Sequence, residues 1–93
     1  MPLFAVEYTY SPTTSSDRDT HRPGHRAWLS GLVDQGIVRS SGPYTDGSGA
    51  LILFEVADRG AIEARLTEDP FAKAALIESV RINEWAPVMG TFA

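Results

Sequence analysis

The chain contains no cysteine. That absence removes disulfides, thiolate metal sites and a cysteine nucleophile together. There is no Lys/Arg cluster along the chain and the formal net charge is −4, which argues against nucleic acid and anionic membrane surfaces as partners. No apolar run approaches the ~18 residues of a membrane-spanning helix. The N-terminus lacks the basic, apolar and small-residue order of a secretion signal, so a cytoplasmic protein is expected. No phosphate-binding glycine pattern is present, and Gly47-Ser48-Gly49 reads as a hairpin turn. His21 and His25 lie four residues apart without a matching acidic pair, so neither a metal site nor a cofactor is expected.

What is present fits one small domain. The 43% apolar fraction is ordinary for a folded protein, and 93 residues bury only a little over half of their unfolded surface. A chain of this size gains from a partner copy.

Residues 3–10 are rich in aromatic and β-branched types and read as a strand, with Phe4, Val6, Tyr8 and Tyr10 sharing one face. Ser11 to Asp19 reads as a loop. Asp19 or Thr20 then caps a helix with Pro23 in its first turn, and Gly36 closes it. Leu29, Leu32 and Gly36 form its inward stripe, flanked by Trp28 and Val33. A second strand is expected over 37–44, a turn at 45–49, and a third strand over 50–56 with both faces apolar. Asp58 caps a second helix carrying Ala61, Ile62 and Leu66. Pro70 interrupts that pattern before a short helical piece at 71–76. A last alternating strand covers 77–85, and residues 86–93 could add an edge strand or swap onto a neighbour.

Strand, helix, strand, strand, helix, strand is the order of a ferredoxin-like βαββαβ α+β fold with an antiparallel sheet. Right-handed crossovers put both helices on one face. The apolar residues on the other face, Leu51 and Leu53, call for a cover, and a two-fold homodimer is the simplest. The same topology points His25 inward, one turn before Leu29, and brings Asp69, one turn after Leu66, to the same end of the sheet. The Tyr8–Tyr10 end of the first strand and Gly42-Pro43 arrive there too.

These polar residues each have a chemical and a plain account. His25 suits general acid/base work, because an imidazole titrates close to neutral pH. Its plain account is a helix-start histidine bonded to backbone. Asp69 could orient that imidazole, or simply cap the piece after Pro70. Arg22 could bind an anionic group as a bidentate donor, or sit in solvent. Ser40 and Ser41 lack an elbow motif and are weak nucleophile candidates. Glu7 and Glu55 interrupt apolar strand faces and belong to a cavity, a dimer edge or the rim of the sheet. Trp28 and Trp85 read as core or interface aromatics.

Arg22-Pro23-x-His25, Leu29, Gly36, Ser41-Gly42-Pro43, Gly49, Asp69-Pro70-Phe71 and Trp85, in this order, resemble the YCII-related (YciI-like) proteins. The resemblance runs from the first strand to about Val88. It implies a dimeric α/β-barrel type of fold and a His–Asp pair between helices and sheet. By position that pair falls on His25 and Asp69. Arg22, Tyr8 and Ser41 are the expected substrate contacts. One branch of the family includes a dehydrochlorinase acting on a chlorinated hydroxyhydroquinone. The hairpin is shorter here than in many members, which reshapes the mouth of the pocket.

The expected function is therefore cofactor-independent acid/base catalysis, an elimination or isomerisation on a small cyclic or aromatic molecule. The alternative is a non-catalytic dimer that binds a small ligand or serves as an accessory protein.

Overall fold

The computed structural model describes residues 1–93. The elements in chain order are β1 (Leu3–Thr9), a 3₁₀ turn (Pro12–Thr14), α1 (Ser15–Asp34), β2 (Val38–Pro43), β3 (Gly49–Glu55), α2 (Arg59–Leu66), α3 (Pro70–Lys73) and β4 (Ser79–Trp85). The four strands form one sheet in the order β2-β3-β1-β4, antiparallel throughout. This is the ferredoxin-like α+β arrangement. No helix is long and apolar enough to cross a membrane.

Register decides which side chains face the helices. Phe4 pairs with Phe54, Val6 with Ile52 and Tyr8 with Ala50 across β1 and β3. Val6, Ile52 and Phe54 are fully buried with Ile62 of α2. Burying side chains of this kind contributes about 1.5–3 kcal/mol each. The alternate residues Leu51, Leu53 and Glu55 lie on the face that carries no helix, with Ala5 and Glu7 opposite. There Glu7 accepts a hydrogen bond from Tyr44 Oη at 2.6 Å and lies near Arg81, while Glu55 pairs with Arg39. Both glutamates belong to that open face.

The first helix begins at Ser15, with its cap at Thr14, five or six residues before the expected cap at Asp19 or Thr20. Ser11 to Asp19 is no loop: it holds the 3₁₀ turn, capped by Ser11, and the start of α1. Pro23 sits inside α1, exposed, where its missing N–H leaves the Asp19 carbonyl without a helical partner. The buried residues of α1 are Arg18, His25 and Leu32, one every seven, and two of these are polar. An inward stripe so composed carries little apolar periodicity. The helix ends as expected: Gly36 takes φ +74° and Ile37 N–H bonds back to the Leu32 carbonyl.

Asp58 caps α2 by accepting from the Ala61 N–H at 2.9 Å. α2 stops at Leu66, so Asp69 does not continue its stripe but caps the separate α3. β4 begins at Ser79 rather than Ile77, and residues 86–93 form no strand.

Candidate functional site

The site lies where α1 and α3 cross the end of the sheet. Gly24 of α1 faces Pro70 there, and a Cβ on Gly24 would stand 3.5 Å from the proline ring, so the helices run close. The next residue, His25, is buried and stacks flat on Phe71, ring centroids 4.0 Å apart and planes 2° from parallel. Trp28, one turn on, has its ring 6.1 Å from the imidazole.

Asp69 is fully buried and meets three donors. Its Oδ1 accepts from the Phe71 N–H at 2.9 Å, which caps α3, and contacts His25 Nδ1 at 2.7 Å. Its Oδ2 accepts from Tyr8 Oη at 2.7 Å. The capping account of Asp69 and the histidine-orienting account thus hold together. A carboxylate offers acceptors and no donor, so Nδ1 carries the imidazole proton of the neutral ring. Nε2 then keeps its lone pair. It has no hydrogen-bond partner and is not among the sealed polar atoms, so it opens to the adjoining cavity.

That cavity measures about 320 Å³, room for a molecule with one ring. Leu29, Val33, Pro43, Ala50 and Phe71 supply its apolar wall. Tyr10, Arg22, Arg26, His25 and Ser41 supply polar groups. Arg22 also pairs with Asp19 on its own helix. His25, Arg22 and Ser41 therefore share one cavity, with Asp69 directly behind the histidine.

Tyr8 does not join them. It is 1% exposed, its hydroxyl is committed to Asp69, and it lies outside the cavity lining. Tyr8, expected among the substrate contacts, is placed here as a partner of Asp69. Burial pushes its phenol pKa well up, and the charge of Asp69 and the bond to it act the same way. The aromatic hydroxyl beside the cavity is Tyr10, two residues on, past the end of β1. Burial and Asp69 raise the Tyr10 pKa, against the pull of Arg18 and Arg22. The Arg18 guanidinium lies over the Tyr10 ring at 4.4 Å.

Arg26 and the stacking role of Phe71 escaped the sequence reading, which brought Tyr10 to this end of the sheet without giving it a role. Tyr10 shares the face of Tyr8, and Arg26 follows Arg22 by one helical turn, so both signals were present. No group of acidic or histidine side chains capable of holding a metal ion occurs.

Solved structures include a close match in shape. The 5-chloro-2-hydroxyhydroquinone dehydrochlorinase from Burkholderia phenoliruptrix AC1100, in complex with 2,5-dihydroxybenzoquinone, superimposes with a TM-score of 0.80. The match covers 90% of this chain and 93% of that one at 22% identity, a likeness of fold. No curated protein matches the sequence. The family model for the YCII-related domain matches residues 2–86, and the chain belongs to that family.

Proposed function

We propose that this protein is a cofactor-independent enzyme that moves a proton on a small cyclic or aromatic molecule, in an elimination or an isomerisation. The observation that carries the reading is the 2.7 Å contact of His25 Nδ1 with buried Asp69, which leaves Nε2 open to a cavity of about 320 Å³. In the proposed step Nε2 takes a proton from the substrate and the ring becomes imidazolium. The Asp69 charge stabilises that cation. In an elimination the electron pair released forms a new double bond and a leaving group departs as an anion. In an isomerisation the imidazolium returns the proton to a different carbon. Arg22 and Ser41 contact the substrate in this reading.

The fold likeness to a dehydrochlorinase supports an elimination on a ring that bears hydroxyl groups. The alternative, a non-catalytic binding or accessory protein, calls for an apolar pocket around a satisfied histidine. Here the imidazole has an unpartnered nitrogen, and Arg22 and Arg26 line the same cavity. Turnover measured against a panel of hydroxylated aromatics and lactones tests the proposal. His25→Ala should abolish it while the protein stays folded; turnover that survives in His25→Ala overturns the reading.

The proposal includes a homodimer built on the open sheet face. Leu51 and Leu53 there border a groove shared with Ser40 and Tyr44, and Trp85 is 41% exposed on β4 of the same face. An ordinary stable interface shields about 800 Å² per partner, which a second copy on this face would have to supply.

A further inference from the structure

Acidic residues outnumber basic ones by twelve to eight in this chain, yet the cavity reverses that balance. Its lining holds two guanidinium groups, Arg22 and Arg26, and no carboxylate. Asp69 is sealed behind the His25 ring with its oxygens occupied. A third guanidinium, Arg18, lies behind Tyr10 and is 5% exposed. Its bonds go to the Ser11 carbonyl and the Thr14 hydroxyl, with no acidic partner. Arg18, Arg22 and Arg26 follow one another at four-residue spacing, so α1 sets the three cations in one row.

Such a row is costly without an anion. Like charges four apart on a helix repel by about 0.2–0.5 kcal/mol per pair, and a buried guanidinium gives up much of its hydration. Asp19 offsets Arg22 from the solvent side, whereas Arg26 has no ion-pair partner. Arg26 is therefore the guanidinium free to meet a ligand, and the Tyr10 ring with Arg18 over it closes one side of the place where it would sit.

We propose that the cavity takes its substrate as an oxyanion: a single-ring molecule bearing a carboxylate or an ionised ring hydroxyl, held by Arg26 with Arg22 beside it. This rests on the cavity being the substrate site. It adds that Arg26, rather than the Asp19-bound Arg22, supplies the main charge contact. While the guanidinium holds the oxyanion, His25 Nε2 is left to work at another atom of the ring.

The test is calorimetric titration of the full chain with benzoate, 4-nitrophenolate at a pH where it is ionised, and neutral benzamide. At least one oxyanion should bind about tenfold or more tightly than benzamide, and the better of the two identifies carboxylate or ring oxygen. Its affinity should fall as salt is added. Arg26→Gln should weaken that oxyanion about tenfold or more and leave benzamide unchanged. Arg65→Gln on α2, the same charge change outside the cavity, should have no effect. Equal binding of benzamide and the oxyanions, full oxyanion affinity in Arg26→Gln, or no binding by any probe would each overturn the inference. The proposed reaction fails on a different observation, turnover that survives the loss of His25, so the two stand or fall separately.

Discussion

His25 and Asp69, 44 residues apart in sequence, meet with Nδ1 2.7 Å from Oδ1. The same oxygen caps α3 through the Phe71 N–H, and Phe71 in turn stacks on the imidazole. The hydrogen bond and the stack thus both hold the ring, and the cap ties together the two residues that make them. Preorganisation of that kind leaves little freedom to lose when a proton moves.

Asp69→Asn separates charge from shape. Asparagine is as good a cap as aspartate, and the Tyr8 hydroxyl can turn to accept from the amide, so folding stability should fall by only about 1 kcal/mol. Turnover should fall about 10²–10⁴-fold, since the imidazolium loses its anion. Asp69→Ala also leaves donors on Tyr8, His25 and Phe71 unpaired in a buried place, which should cost about 3–5 kcal/mol by denaturant titration. An Asn variant with full turnover would remove the orienting role.

Tyr8 gives the fold an alkaline limit. Its phenol pKa is raised by burial and by Asp69, so the native state holds a proton that the unfolded chain releases above about pH 10. Stability contributed by the protonated phenol is complete below that pH. It declines as pH rises further, by about 1.4 kcal/mol per pH unit. Tyr8→Phe should lower stability at neutral pH by about 1–2 kcal/mol and flatten that alkaline decline. Chemical denaturation at a series of pH values reads both effects. An unchanged alkaline slope in Tyr8→Phe would place the titrating group elsewhere.

Gly49 is required by close approach rather than by its dihedral angles. A Cβ there would lie 1.9 Å from the Tyr8 carbonyl oxygen, and its nearest neighbours are all backbone of Tyr8 and Thr9, with no flexible atom to yield. Gly49→Ala should force β1 and β3 apart beside Tyr8. The expected cost is about 3 kcal/mol or more, seen as a fall in Tm beyond about 10 °C. A variant of wild-type stability would contradict the packing described.

Leu51 lies on the open sheet face. Leu51→Arg should leave the monomer core intact, because Ile52 and Phe54 face the other way. Sedimentation should show the wild type as a dimer at micromolar concentration and the variant as a monomer. A wild-type monomer there would remove the dimer from the account.

The order of elements and the meeting of His25 with Asp69 were legible because alternation and topology carry them. Val6, Ile52 and Phe54 alternate with more exposed neighbours, and right-handed crossovers bring both residues to one end of the sheet. The start of α1 was not legible: Arg18 and His25 occupy inward positions that a periodicity argument expects to be apolar. Pro23, a common opening signal, stands in mid-helix and misleads. Tyr8 and Tyr10 share a face, and alternation cannot tell which meets the cavity. The sheet register decides it, since Tyr8 pairs with Ala50 and Val80 while Tyr10 lies beyond the strand.

The most direct test of His25 as a proton acceptor is its tautomer, read from the two ring nitrogens by ¹⁵N NMR of the neutral imidazole. The arrangement predicts the proton on Nδ1, shared toward Asp69, and an unprotonated Nε2 whose resonance shifts when a ligand fills the cavity. A proton found on Nε2, with Nδ1 bare against Asp69, would contradict it.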